Sequence, residues 1–323
     1  MKHIAILGEC MIELNGKPFG LMHQTFGGDT LNAAVYLSRG LEANNHPETV
    51  KVSYVTALGE DPISQGMLKR WQDEGISTEH VLLDSKRTPG LYLIQLDEQG
   101  ERTFLYWRNQ SAARYLLQHK DFDHLKSALQ QVDMIFLSGI SLAILPEEDC
   151  AQLLSMLAEL KQQGVEIAFD SNFRPALWPE DGHCRVKSVY QAMYQLTDLA
   201  LVTYDDEQLL WQDPTPQDTL SRLADLGVAK AVVKLGADGC LINDSEASSL
   251  PYAVPTQPVD IVVDTTSAGD SFNGGFLSAY LAGENMENAC RRGNALAGMV
   301  IQHRGAIIPK ELTQSVIDAV KGI

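Results

Sequence analysis

The chain has 323 residues, of which 45% are hydrophobic and 21% are charged, so it is expected to form a sizeable core and not a fibrous or extensively disordered chain. Its 42 Asp and Glu residues outnumber its 25 Lys and Arg residues, and the net charge of −17 argues against nucleic acid or anionic membranes as partners. No segment resembles a signal peptide or a membrane span, and the five cysteines are scattered without C-x-x-C spacing. We therefore expect a cytoplasmic protein with reduced cysteines.

Short apolar runs alternate with longer stretches of helical periodicity, a pattern that predicts an α/β fold with a mainly parallel sheet flanked by helices. Strands are predicted at Ile4–Gly8, Val52–Ala57, Met134–Ser138, Glu166–Asp170, Leu199–Thr203, Ala231–Lys234 and Gly239–Asn243. Helices are predicted near Asp29–Arg39, Pro62–Glu74, Pro146–Gln163, Lys187–Thr197, Asp206–Leu210, Thr219–Leu226, Ala268–Leu281 and Met286–Gln302.

Two stretches interrupt this alternation. Residues Cys10–Phe26 are irregular and strand-like, and Leu91–Arg108 has the pattern of a hairpin with a polar turn at Glu98-Gln99-Gly100. Together they predict either a small sheet that projects from the large domain or an extra antiparallel edge on the main sheet. Periodicity alone favours neither arrangement.

The segment Asp264–Asp270 is followed at once by a predicted helix. Its small residues Ser267, Ala268 and Gly269 present backbone N–H groups at a helix N-terminus, where anions bind, and Asp270 lies beside them as a candidate base. The alternative is that Asp264 or Thr265 caps the helix and Asp270 only benefits from the helix dipole. This segment alone does not decide between the two interpretations.

A second glycine-containing segment, Gly27–Asn32, begins another predicted helix. Glycines allow the backbone to approach a ligand, and Asp29 and Asn32 offer an acceptor and a donor for sugar hydroxyls. An ordinary turn with Asp29 as the helix cap explains the same pattern equally well.

Two arginines lie beside candidate site residues. Arg108 ends the second arm of the predicted hairpin, and Arg174 follows the strand Glu166–Asp170, at the sheet edge where open α/β sheets bind ligands. Both guanidinium groups are suited to a carboxylate or a phosphate, although most surface arginines are only solvated.

Two further segments carry weaker signals for a nucleotide and a metal ion. Lys234–Gly239 is a strand end and a glycine-containing turn, typical of nucleotide sites but also of ordinary hairpins. The acidic run Asp205–Glu207 offers carboxylates for Mg²⁺, or acids in the first turn of a helix. P-loop, dinucleotide-binding and H-E-x-x-H motifs are missing from the sequence.

Taken together, Gly27–Asn32 and Asp264–Asp270 resemble, in order and spacing, the two signatures of the ribokinase-like (PfkB) carbohydrate kinases, and the resemblance spans nearly the whole chain. Longer strings resemble those members of the family that phosphorylate 2-keto-3-deoxygluconate with ATP at its terminal hydroxyl, O6. These strings are Ala5–Leu14, Tyr106–Asn109, Leu137–Leu145, Asn172–Trp178 and Arg304–Pro309.

The resemblance implies a large domain, residues 1–9, 27–90 and 109–323, and a β lid, residues 10–26 and 91–108. An exposed lid sheet has an edge that a second subunit could cover. The resemblance also implies Asp270 as the base and Ser267, Ala268 and Gly269 as the anion hole. Contacts to a sugar acid are implied for Gly28, Asp29, Asn32, Tyr92, Tyr106, Arg108, Arg174 and Asp270, and contacts to ATP for Lys234, Gly236, Gly239 and Asn294.

The sequence departs from the family pattern at two places. Many members have glycine at the position of Ser267, although a serine offers the same backbone N–H. The Mg²⁺-associated Asn-x-x-Glu motif appears as Thr203–Asp206, so the resemblance points to either Asp206 or Glu207 as the residue linked to Mg²⁺.

Overall fold

The structure, a computed structural model, describes residues 1–17, 19–43, 49–96, 102–245 and 250–319. The strands in this part of the chain are β1 (Lys2–Leu7), β2 (Met11–Gly16), β3 (Met22–Gly27), β4 (Val50–Gly59), β5 (Val81–Asp84), β6 (Leu91–Leu96), β7 (Arg102–Trp107), β8 (Met134–Ser138), β9 (Glu166–Asp170), β10 (Leu199–Thr203), β11 (Lys230–Lys234), β12 (Cys240–Asp244) and β13 (Tyr252–Val254).

The helices are α1 (Asp29–Ala43), α2 (Pro62–Asp73), α3 (Phe122–Leu129), α4 (Gly139–Ala143), α5 (Glu147–Gln162), α6 (Cys184–Leu196), α7 (Tyr204–Trp211), α8 (Pro216–Asp225), α9 (Ala268–Leu281), α10 (Met286–Val300) and α11 (Lys310–Ala319). Short 3₁₀ segments lie at Ala113–Gln118, Pro175–Leu177 and Gly236–Asp238.

Nine strands form the large sheet, in the order β13-β12-β11-β10-β9-β8-β1-β4-β5. All neighbours from β11 to β5 pair in parallel, and β12 and β13 complete one edge in antiparallel orientation. The central strands are buried on both faces, which is why β8 is a continuous apolar run, Met-Ile-Phe-Leu-Ser, without polar alternation. This confirms the predicted fold class.

Alternate residues of β8 pack into different halves of the core. Ile135 belongs to the cluster that includes α5, whereas Phe136 belongs to the cluster that includes α1 and α9. Helix α9 lies so close to α1 that a Cβ at Gly274 would lie 2.6 Å from the Ala33 carbonyl oxygen. The N-termini of α1 and α9 are therefore held next to each other.

The remaining four strands form a separate small sheet in the order β3-β2-β6-β7. Strands β6 and β7 pair antiparallel, as the hairpin prediction requires, whereas β2 and β6 pair in parallel. The prediction of a small sheet separate from the main sheet is confirmed, and the alternative of an extra edge on the main sheet is wrong. The turn predicted at Glu98-Gln99-Gly100 lies outside the described residues.

Sequence patterns did not reveal the shortest elements. Strand β5 has four residues at a sheet edge and β13 has three, too few for a periodic signal. Helix α3 was not predicted either, although its sequence carries a signal: Phe122, Leu125 and Leu129 are its buried residues and lie on one face. The predictions also lack helices α4 and α11.

Candidate active site

The side chain of Asp264 holds the loop that precedes α9. Its carboxylate accepts the backbone N–H of Thr266 at 3.0 Å and that of Gly305 at 2.8 Å. Ser267 then adopts a left-handed conformation, φ 65°, in the position that precedes the helix. Asp264 therefore anchors the loop, and neither it nor Thr265 occupies the cap position of α9.

The first turn of α9 contains the predicted anion-binding residues. Ala268 donates its N–H to the Thr265 carbonyl oxygen at 3.2 Å. The next N–H groups, of Gly269 and Asp270, also lie in the first turn, where a helix provides no acceptor of its own. The helix dipole adds a positive potential at the same place.

Asp270 lies in this turn and is partly buried. Its Oδ2 accepts an amide N–H of Asn32 from α1 at 2.9 Å. Burial, followed by the negative charge of Asp29, raises the pKa of the Asp270 carboxyl to about 7, against the lowering effect of the Asn32 hydrogen bond. A carboxylate with a pKa near neutrality is well suited to take a proton from a hydroxyl group.

Asp29 begins α1 and faces the ends of the neighbouring strands. Its Oδ2 accepts an N–H of the Asn172 amide at 2.6 Å and the hydroxyl of Ser138. The preceding residue, Gly28, packs closely against the backbone of Glu9, since a Cβ at Gly28 would lie 2.2 Å from the Glu9 carbonyl oxygen. The predicted residues Gly28, Asp29 and Asp270 are thus brought to one edge of the large sheet.

A buried ion pair lies beside them. Lys234, at the end of β11, donates to Asp170 Oδ2 and to Asn273 Oδ1, each at 3.1 Å. Sequence reasoning gave no role to Asp170 or Asn273. The signals were present, because Asp170 ends a buried strand and Asn273 follows Asp270 by three residues on the same helical face.

The two tyrosines predicted to contact the sugar lie on the small sheet. The Tyr92 hydroxyl is buried and donates to Glu13, and burial followed by the Glu13 charge raises the pKa of Tyr92. Tyr106 is 53% exposed, and its ring centroid lies 6.0 Å from that of Tyr92. Both rings therefore lie on one surface of the small sheet, with Tyr106 accessible.

Arg108 is paired within the protein. Its Nε donates to Glu9 Oε2 at 2.8 Å, Nη2 donates to the same oxygen, and Glu9 is only 3% exposed. The carboxylate that Arg108 binds in this structure is thus that of Glu9.

Arg174 is more accessible, with 53% of its side chain exposed. Its Nη1 donates to the Phe173 carbonyl oxygen at 3.0 Å and lies 3.8 Å from Asp206 Oδ1. Asp206 Oδ2 accepts the Phe173 N–H at 3.2 Å, and burial raises the pKa of this carboxyl to about 6. Arg174 and Asp206 are therefore neighbours at the end of β9.

Of the two acids proposed for Mg²⁺, Glu207 has both carboxylate oxygens engaged in hydrogen bonds within the protein. One of its oxygens accepts the Tyr194 hydroxyl and the other accepts Arg222 Nη2, both at 2.7 Å, and its side chain is only 1% exposed. Glu207 is part of an internal network that includes Asp213. Asp206 is the acid that remains available.

The residues predicted to contact ATP surround the turn between β11 and β12. Gly236 is exposed with φ 59°, and Gly239 approaches the Val254 carbonyl oxygen so closely that a Cβ would lie 2.2 Å from it. The Asn294 amide points at the same segment, 3.3 Å from that oxygen. The structure thus brings Gly236, Gly239, Asn294 and Lys234 to one side of the sheet.

One group of possible metal ligands lies elsewhere. His3, Glu79 and His80 are the only such group of three or more within the described ranges, and they lie where β1 and β5 begin, at the other end of the strands. His3 Nε2 is hydrogen-bonded to the Ser53 hydroxyl, and Glu79 is paired with Lys51.

The sequence is similar to those of known carbohydrate kinases. A family model described as pfkB family carbohydrate kinase matches residues 1–313. The 2-dehydro-3-deoxygluconokinase of Haemophilus influenzae is 55% identical over 310 residues, covering 96% of each chain. That of Dickeya dadantii is 46% identical, covering 96% of this chain and 98% of the relative.

Solved structures agree on the fold. The crystal structure of fructokinase with bound ATP from Xylella fastidiosa superposes with a TM-score of 0.79 at 20% identity and covers 98% of both chains. In the part of the chain that the structure describes, no helix combines the length and apolar character needed to cross a bilayer.

The pairing of Arg108 with Glu9 predicts a structural cost for removing the arginine. Because Arg108→Met leaves the Glu9 carboxylate buried without its cation, we expect the free energy of unfolding to fall by about 3 to 5 kcal/mol. Urea unfolding followed by circular dichroism measures this change.

Two variants control for other causes. Glu9→Gln combined with Arg108→Met should recover most of the loss, because no charge remains buried. Arg291→Met breaks a pair with Glu287 whose side chains are 40% and 45% exposed, and should cost less than about 1 kcal/mol. Equal losses for Arg108→Met and Arg291→Met would contradict the prediction.

Proposed function

The chain belongs to the PfkB family of carbohydrate kinases, and we propose that it transfers the γ-phosphoryl group of ATP to O6 of 2-keto-3-deoxygluconate. The product would be 2-keto-3-deoxy-6-phosphogluconate. The observation that carries this proposal is the 55% identity, over nearly the full length of both chains, to a 2-dehydro-3-deoxygluconokinase. The five free cysteines support the proposed cytoplasmic location.

Asp270 is the proposed base. As O6 attacks the γ-phosphorus, its proton passes to the Asp270 carboxylate, a bond forms between O6 and phosphorus, and the bond from phosphorus to the β,γ-bridging oxygen breaks. The proposed anion hole at the start of α9, Ser267 to Gly269, stabilises the charge on the transferring oxygens, and the Gly269 N–H is the donor in it for which the helix has no acceptor. Asn32 keeps Asp270 in place.

The sugar would lie between α1 and the small sheet. Gly28, Asp29 and Asn32 would bind its hydroxyl groups, with Tyr92 and Tyr106 on the opposite side. We assign recognition of the carboxylate mainly to Arg174, because more than half of its side chain is exposed whereas Arg108 is paired with Glu9. Arg108 would be a second contact to the sugar acid.

ATP would bind along Lys234, Gly236, Gly239 and Asn294. The donor set fits Mg²⁺, which prefers one or two carboxylates together with phosphate oxygens and water, and Asp206 offers an oxygen-only ligand beside Arg174. When bound, Mg²⁺ would neutralise charge on the phosphates of ATP.

We propose that the small sheet, residues 10–26 and 91–108, closes over the sugar and that the rest of the chain forms the large domain. Closure would exclude water and limit ATP hydrolysis. The small sheet also exposes Phe104, Leu105 and Trp107, which supports association of two copies through it.

Trp107 reports on both roles of the small sheet. Its side chain is 58% exposed, so closure of the small sheet over the sugar would change its surroundings. Its fluorescence should therefore change when the sugar binds, and Trp107→Phe should abolish the change. Trp107→Glu should lower the sedimentation coefficient if two copies associate there. Unchanged fluorescence would contradict closure, and unchanged sedimentation would contradict association through this surface.

A substrate panel tests the proposed function. We expect kcat/KM for 2-keto-3-deoxygluconate to exceed that for fructose by at least about 10-fold, since a lost hydrogen bond to a charged group costs about 1.5 to 3 kcal/mol. A coupled ADP assay measures the rates, and phosphorus NMR identifies the phosphorylated oxygen. Efficient turnover of fructose but not of the keto-deoxy acid would overturn the proposal.

Arg174→Gln sharpens this test. It should raise the KM for 2-keto-3-deoxygluconate about 10- to 100-fold and leave kcat/KM for any neutral sugar unchanged. Arg185→Gln, which removes an arginine paired with the exposed Glu147, serves as the matched control and should change neither value.

The proposed base predicts a pH profile. Since Asp270 must be deprotonated and its pKa is raised to about 7, kcat should fall about tenfold per pH unit below 7 and level off above it. Asp270→Asn should lower kcat by about 10²- to 10⁴-fold with a small change in sugar KM. Asp225→Asn changes an exposed acid at the end of α8 and should leave kcat unaltered. Full activity of Asp270→Asn would refute the mechanism.

A further inference from the structure

A buried cation lies directly beside the first turn of α9. Lys234 is only 7% exposed, and its ammonium group donates to Asp170 and Asn273 at 3.1 Å each. Burial of a lysine is costly unless its charge is compensated, so a reason is needed for placing it here.

The ammonium group has a donor to spare. A lysine has three N–H donors, and the two contacts with Asp170 and Asn273 use two of them. A Cβ built on Gly269 would lie 3.6 Å from Lys234 Nζ. The nitrogen therefore lies against the turn whose backbone N–H groups form the proposed anion hole.

Asp170 and Asn273 fix the position of this nitrogen. The Asn273 amide donates to Asp170 Oδ2 at 2.6 Å, the same oxygen that Lys234 contacts, while Asp170 Oδ1 accepts the Asn172 backbone N–H at 3.2 Å. Asp170 is 4% exposed and Asn273 2%. Each group of this triangle is held by the other two, and water has little access to loosen it.

We propose that Asp170 and Asn273 are positioning residues for phosphoryl transfer, which hold the Lys234 ammonium group so that its third N–H donates to an oxygen of the transferring phosphoryl group. The inference rests on the proposed kinase function and extends it. Lys234 would supply a fixed positive charge in a protein of net charge −17, where the overall field opposes phosphate.

A double-mutant cycle tests whether Asp170 acts through Lys234. The variants are Lys234→Met, Asp170→Asn and the pair; kcat is measured at saturating sugar and ATP, and the sugar KM by varying the sugar at saturating ATP. They are assayed at pH 8.5, because the Asp170 charge also raises the Asp270 pKa and the profile is flat there. Lys230→Met, at the other end of β11, is the matched control.

We expect kcat to fall about 10²- to 10³-fold in Lys234→Met, and about 10- to 100-fold in Asp170→Asn, with sugar KM changed less than about threefold. The double variant should be no slower than Lys234→Met, since Asp170 has nothing left to position. Lys230→Met should keep wild-type kcat. Multiplicative losses in the double variant, or losses confined to KM, would overturn the proposal.

Chemical rescue covers the case in which Asp170→Asn does not fold. Ethylammonium should raise the kcat of Lys234→Ala at least about tenfold, because it restores an N–H donor in the space of the side chain. Tetramethylammonium at equal ionic strength carries the charge without a donor and should have no effect. Absence of rescue by ethylammonium, or equal rescue by both cations, would contradict donation by Lys234.

The substrate assignment and the role of Lys234 are tested independently. All variants are compared with wild type on the sugar that wild type phosphorylates fastest. A panel in which 2-keto-3-deoxygluconate is a poor substrate would therefore refute the substrate assignment and leave the test of Lys234 intact.

Discussion

Three carboxylates share the edge of the large sheet where the site forms, and each has an asparagine as its partner. Asn32 donates to Asp270 at 2.9 Å, Asn172 to Asp29 at 2.6 Å and Asn273 to Asp170 at 2.6 Å. Like charges so close repel one another, and hydrogen bonds to a carboxylate are worth about 1.5 to 3 kcal/mol each. Asparagine supplies such bonds without adding charge, so the acids can remain together.

The same arrangement sets the chemistry of Asp270. Burial, followed by the neighbouring charge of Asp29, raises its pKa to about 7, while the hydrogen bond from Asn32 limits the increase. Lys234 offsets the charge of Asp170. One acid is thereby tuned towards proton transfer, and the others stay available for hydrogen bonding and ion pairing.

Close packing at glycines makes these pairs possible. Gly28 lies against the Glu9 carbonyl oxygen, and Gly274 brings α9 against α1. These contacts set the distance over which Asn32, on one helix, reaches Asp270 on the other. The small sheet is tied to the same region by Arg108, whose guanidinium binds Glu9 just after β1.

The sequence by itself determined the fold class, because buried parallel strands are continuous apolar runs and the helices between them are long enough to show a period. It also located the segments Gly27–Asn32 and Asp264–Asp270. Only the tertiary structure decided which side chains meet. It paired Arg108 with Glu9, placed Glu207 in an internal network and joined Lys234 to Asp170 and Asn273. These partners come from separate elements, and no local pattern encodes contacts between residues so far apart in the chain.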